Sequence, residues 1–350
     1  MSKRATRQIP KRPASSEEVE YLKFDEDGDL TLLVGWCVQQ RMLVDANALC
    51  RMSPVFRTML KGPFKESKPA SGDWMIELPE DHAPGFAMIM DIIHNQFQCT
   101  PTDPTVDDLI HVAILTNKYD MAKVLRPLAQ TWREKLRLES DKPLAGVEGL
   151  LGVAYELGDA ETFDKLARKI ALGHRVNKQG NIQSADGMYW LNGQRCIDVA
   201  NIMERIQNHR LMALAVIKEE CRQLYAALVL GQGLCLQRCA GDQQLCTNMT
   251  LGHLLTTAYR YCIQGLFLPQ PVEFSGGNWT VDDLIKCLVS IGGPPCAGDH
   301  TICNPITPLT ERIEKRVSDL PGPTTAHHTE YMKVQQEIIM PTSRRVTSKK

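Results

Sequence analysis

The stretch LVDANALCRMSPVFRTMLKGPFKES, Leu43 to Ser67, constrains the fold more than any other part of the chain. Leu43 and Val44 end a short apolar run. Asp45 follows, a residue whose carboxylate can take the orphan N–H groups at the start of a helix carrying Leu49 and Met52. Ser53-Pro54 restarts the chain with Ser as cap and Pro at the first helical position, where its missing N–H costs nothing. Phe56, Met59 and Leu60 share one face of this second helix, and Phe56 is expected to be buried against a sheet. Gly62-Pro63 stops the helix and leaves Phe64-Lys65-Glu66 in a loop. Two short helices after a strand pair, with no catalytic residue between them, suit a docking surface.

Around this stretch the hydrophobic pattern is first strand-like and then helical. Leu30, Leu32 and Val34 alternate with Asp29, Thr31 and Leu33, and Met42 to Val44 returns as the hairpin partner. Trp74 to Leu78 reads as a further strand closed by Pro79, and Phe86, Ile89, Met90 and Ile93 mark a helix begun near Pro84. Thr105 with Asp108 resembles a capping box opening a helix with Leu109, Val112 and Ala113 inward. Val124 to Leu138 is predicted as one more helix, with Leu125, Leu128, Trp132 and Leu136 on a face. Early strands followed by helices give an α+β pattern.

These residues carry a family resemblance. DGDLTLLVG, the LVD-x-x-x-LC-x-x-SPVF-x-x-ML run, PFKES, IELPED and LTNKYDM occur in the order of the blocks of a BTB/POZ domain, in the divergent form abundant in filamentous fungi. The resemblance covers roughly residues 26–138. It implies a small sheet flanked by helical hairpins, an interaction module without enzymatic activity. Asp45 stands where many animal BTB domains carry His, near the acidic position matched by Asp29. Two carboxylates there repel if close and buried.

Beyond Ser140 the pattern is mainly helical. Leu150, Leu151, Ala154 and Leu157 form one helix ended by Gly158-Asp159, and Phe163, Leu166, Ala167 and Ile170 form its antiparallel neighbour. Residues 174–193 read as a loop, and a long helical pattern runs from about Cys196 to Leu230. Its Leu214, Ile217, Cys221, Leu224 and Leu228 step as in a coiled coil. Two heptads are too few for one, so packing inside a helical region is the expectation. The expected organisation is a basic disordered tail over 1–23, a BTB/POZ domain over 24–138, a helical region over 139–305 and a largely disordered tail over 306–350.

Cys235, Cys239 and Cys246 cluster near the end of the long helix, and Cys296, His300 and Cys303 fall in a Gly/Pro-rich stretch. A structural zinc needs four thiolate or imidazole ligands, so Cys239, Cys246, Cys296, His300 and Cys303 are the candidate metal residues. Against this, the spacing lacks the short knuckle of a zinc finger, and inert core thiols are the competing reading. No nucleophile with base and oxyanion donors, and no phosphate loop, is recognisable, so the chain is expected not to be an enzyme.

The chain has 350 residues, a net charge of −1 and 12 cysteines. That charge gives no field to recruit nucleic acid directly, and no apolar run spans a membrane. Without a secretory signal the cysteines read as reduced thiols, and a cytoplasmic or nuclear location is expected. The chain thus reads as a non-catalytic protein–protein interaction protein. The resemblance implies two roles. One is substrate adaptor of a cullin-based ubiquitin ligase, in which a hydrophobic-x-acidic motif at Phe64 and Glu66 engages the cullin. The other is a scaffold or transcription-associated regulator that associates with a second BTB chain.

Overall fold

The computed structural model describes residues 21–36, 39–101, 103–143, 146, 148–194, 197–232, 235, 240–268, 279–293 and 303–341. They fall into two compact units. The first lies within Met1–Pro101 together with Lys118–Met121, and the second within Thr102–Asn117 together with Ala122–Lys350.

The first unit is built on a four-stranded sheet in the order β1-β3-β2-β4, from β1 (Tyr21–Lys23), β2 (Leu30–Val34), β3 (Gln40–Val44) and β4 (Met75–Leu78). β2 and β3 form the antiparallel hairpin, with Leu30 opposite Val44 and Val34 opposite Gln40. β1 runs parallel to β3, and β4 runs parallel to β2. Leu30, Leu32 and Val34 are buried as the alternation requires, and Leu33 is buried as well because β2 is a central strand. The last three residues of the disordered tail expected over 1–23 are instead ordered, since Tyr21–Lys23 gains backbone partners along Arg41–Leu43. Residues 1–20 lie outside the described residues.

Three helices complete this unit. Asp45 caps α1 (Ala46–Met52), accepting from the N–H groups of Asn47 at 2.8 Å and Ala48 at 3.1 Å. Ser53 caps α2 (Pro54–Lys61), its hydroxyl accepting from Phe56 N–H at 2.9 Å and donating to the Tyr119 carbonyl at 2.6 Å. α3 (Ala83–Ile93) starts at His82, whose Nδ1 accepts from Gly85 N–H. α3 packs against β3, and α1 against α2 and α3. Phe56 is fully buried, stacked on Tyr119 with ring centres 4.5 Å apart and edge-on to Phe86. The segment Lys118–Met121 returns to this unit because Tyr119 completes that aromatic core and its hydroxyl donates to the buried Asp81 carboxylate.

The second unit is helical. Thr105 and Asp108 form the expected capping box at α4 (Val106–Lys118), each side chain accepting from the other's backbone N–H. The single helix expected over 124–138 is instead a 3-10 turn, Ala122–Leu125, followed by α5 (Ala129–Ser140). Pro127 has no N–H to give and its ring clashes with the preceding turn, which breaks the run. α6 (Leu150–Glu156) and α7 (Ala160–Gly173) are joined by Gly158 at φ +67, where a Cβ would sit 2.5 Å from the Met332 carbonyl oxygen. Asp159 caps α7 and is held by the Arg133 and Arg137 guanidinium groups at 3.4 and 3.0 Å. α8 (Ile202–Val229) buries Ile217, Cys221, Leu224 and Leu228 in a core shared with α9 (Ala240–Arg260), α10 (Val281–Ile291) and α11 (Ile306–Ser318). The coiled-coil-like spacing is therefore packing within the helical region. Among the described residues no helix is long and apolar enough to cross a membrane.

The disordered tail expected from residue 306 is corrected. α11 and α12 (Ala326–Ile339) occupy it, and the reason is legible in their apolar spacing. Ile306, Leu309, Ile313 and Val317 recur at helical steps and are buried, while Arg312 and Arg316 grip Glu220 of α8 at 3.0 and 2.7 Å. Met332 and Ile339 of α12 are buried as well. The Pro/Thr-rich composition marks the starts of these helices, at Pro305 and Thr325, and not the absence of structure. Residues 342–350 lie outside the described residues. The expected boundary at 138 follows the family pattern, whereas packing divides the chain at Pro101 and 118–121.

Two changes test this packing. Phe56→Ala removes a filled ring position and is expected to cost about 3–5 kcal/mol, read as loss of the first unit's melting transition from the full chain. Unchanged melting would show that the aromatic core does not hold that unit. The second change concerns Glu156, a buried carboxyl on α6. Burial raises it from an ordinary 4.5 to about 7, against hydrogen bonds from Tyr331 and Asn117 that favour its ionised form. The folded chain then holds a proton that the unfolded chain has released. Stability from this group is greatest at or below pH 4.5 and falls as pH rises to about 7. Glu156→Gln removes the titration, so its stability relative to the parent should improve by on the order of 2 kcal/mol between pH 5 and pH 8. A difference that is the same at both pH values would contradict the assignment.

Candidate docking loop and thiol cluster

The turn after α2 is fixed by its backbone. Gly62 N–H donates to the Thr58 carbonyl at 2.9 Å, and Ser67 N–H donates to the Phe64 carbonyl at 3.1 Å. The Ser67 hydroxyl donates to the Gly62 carbonyl, and Trp74 Nε1–H donates to the Glu66 carbonyl at 2.8 Å. On this frame the Phe64 ring lies over Gly62, where an added Cβ would fall 2.7 Å from a ring carbon. Its other side faces out, leaving Phe64 51% exposed, while Glu66 is half-buried. The Phe64 ring thus packs on one side and is presented to solvent on the other.

The same frame extends to Asp29. The Lys68 ammonium pairs with Asp29 at 2.9 Å and lies 5.4 Å from the centre of the Trp74 ring. Asp29 also accepts from Ala46 N–H at 3.1 Å. Burial opposes ionisation of Asp29, but the Lys68 pair and the Ala46 bond outweigh it and hold the carboxyl below its ordinary value. Asp45 is engaged separately, capping α1 and facing the Arg51 guanidinium at 3.5 Å. The two carboxylates feared to repel are each neutralised by their own partners. His94, which caps the end of α3, bonds within the unit, its Nε2 accepting from Asp45 N–H at 3.1 Å and its Nδ1 donating to the Met90 carbonyl at 3.0 Å.

In the second unit the structure gathers three thiols. Cys235 lies between α8 and α9, Cys246 lies in α9, and Cys303 immediately precedes α11. Their sulfurs all lie within 4.8 Å of one another, with Cys235 and Cys303 Sγ atoms 3.8 Å apart. All three are buried. Burial, reinforced by the neighbouring Cys235 and Cys303 sulfurs, pushes the Cys246 thiol up to about 12. Of the five metal candidates read from the sequence, Cys246 and Cys303 are brought together, and Cys239, Cys296 and His300 lie outside the described residues. Cys235 belonged to the sequence cluster but not to the candidate ligand set. Its sulfur meets that of Cys303, 68 positions away in the chain.

The chain has no match among curated proteins, and none among solved structures. Residues 20–135 match the family model described as the BTB/POZ domain, which agrees with the small sheet, the α1–α2 hairpin and α3 found there. The N-terminal part of this chain is a BTB/POZ domain, followed by a mainly helical region, and its role is accordingly one of protein–protein interaction.

Proposed function

We propose that this chain is a non-catalytic adaptor of the divergent fungal BTB type, which docks a cullin through the turn at Phe64 and Glu66 and leaves its helical region to engage a second protein. The observation that supports this reading is the half-exposed Phe64 ring on a turn whose backbone is fixed by Ser67, Trp74 and Gly62. An apolar anchor presented on a rigid turn binds at low entropic cost, because little freedom is lost when it is captured. Glu66 beside it supplies the acidic group of the motif. The domain boundaries carried with this proposal are 24–138 for the interaction domain and 139–305 for the helical region.

Self-association as a scaffold is the second reading, and it rests on the edge strand β1. Tyr21 there is 54% exposed, and an edge strand offers backbone groups to another chain.

Replacing Phe64 and Glu66 together by Ala should abolish cullin capture by the full chain, with melting temperature unchanged because neither side chain fills the core. Capture that survives the double change overturns the assignment of the turn. Mass in solution separates the two readings, since a monomer that captures a cullin supports the adaptor and a dimer that does not supports the scaffold.

A further inference from the structure

The helical region holds two kinds of buried cysteine. Cys221 and Cys287 sit within the aliphatic core, among Ile217, Leu224, Leu284 and Leu288, as small apolar side chains commonly do. Cys235, Cys246 and Cys303 do not. Among the described residues these three form a satellite cluster of their own, with no buried aliphatic side chain in it. Hydrophobic burial explains the first pair and leaves the trio unexplained, because three thiols offer one another little apolar area.

The geometry is that of a ligand set. A tetrahedral zinc with sulfurs at about 2.3 Å places neighbouring sulfurs about 3.8 Å apart. Cys235 and Cys303 are separated by 3.8 Å, and the third sulfur lies within 4.8 Å of both. A disulfide would require about 2.05 Å, so the cluster is not an oxidised pair beside a spectator.

We propose that Cys235, Cys246 and Cys303 bind a thiophilic divalent cation, zinc by ligand preference, as a structural site. Three thiols supply the first three corners of a tetrahedron, and their three protons leave when the ion enters. The ion ties Cys246 of α9 to Cys303 just before α11, two helices that also share the apolar core. All three thiols are buried, as in a closed structural site.

The test uses the full chain expressed in zinc-supplemented medium and purified without chelator. Elemental analysis should give one zinc per chain. Replacement of that zinc by cobalt(II) should give a tetrahedral visible spectrum with a near-ultraviolet thiolate-to-cobalt band whose intensity corresponds to at least three sulfurs. Cys235→Ser, Cys246→Ser and Cys303→Ser should each lower metal occupancy at least tenfold under competition with a chelator. Cys99→Ser and Cys262→Ser, at exposed positions, should leave it unchanged. The cobalt spectrum of the parent chain reads the ligand set without any variant, so a substitution that fails to fold does not blunt the test. Absence of zinc from the parent, or one zinc per chain retained in the triple Cys235→Ser, Cys246→Ser, Cys303→Ser variant, overturns the proposal.

Discussion

The Ser53 hydroxyl makes two hydrogen bonds on which the first unit depends. It accepts from Phe56 N–H to start α2 and donates to the Tyr119 carbonyl, fixing a segment that arrives from 66 positions further along the chain. Once Tyr119 is held there, its ring stacks on Phe56 and meets Phe86 edge-on, and its hydroxyl reaches Asp81. Burying each ring is worth about 1.5–3 kcal/mol, and the aromatic pairs add about 0.5–1.5 kcal/mol each. A single small side chain thus joins helix capping to core formation. That double role explains why serine stands at a position where the sequence alone asks only for a cap.

The turn proposed here as a docking surface takes its position from this core. α2 is positioned by Phe56 and ends at Gly62, and side-chain bonds from Ser67 and Trp74 to the turn's carbonyls take over where the helix stops. Trp74 in turn lies under Lys68, which holds Asp29, which holds Ala46 at the start of α1. The path from the sheet to the Phe64 ring is therefore continuous, and every link is a hydrogen bond, an ion pair or a ring contact within one unit. An acidic residue at position 29 serves here as an internal anchor for the turn.

Much of this was legible in the sequence where local rules are strong. Asp45, Ser53-Pro54 and Thr105 with Asp108 announced helix starts, and the structure has helices at each of them. The 3.6-residue spacing of Phe163, Leu166 and Ile170 marks α7. The misreadings have local causes too. Pro127 was passed over because the apolar face of Val124 to Leu138 continues through it, although the backbone cannot. β1 was missed because three residues show no period and a strand forms there only when β3 supplies its partners. The C-terminal helices are masked in the sequence by Pro, Thr and charged residues interleaved with the stripe Ile306, Leu309, Ile313 and Val317, which only packing shows to be buried. Cys235 was beyond reach, since nothing in spacing tells which thiols meet across 68 positions.

We propose that the turn from Gly62 to Ser67 is the surface through which this chain engages a cullin. Amide hydrogen exchange of the full chain, measured alone and with a saturating cullin, reads that surface directly. The account predicts slowed exchange at Phe64, Lys65 and Glu66 in the mixture, with the amides of β2 and β3 unchanged. Exchange at residues 64–66 that is identical with and without the cullin would contradict it.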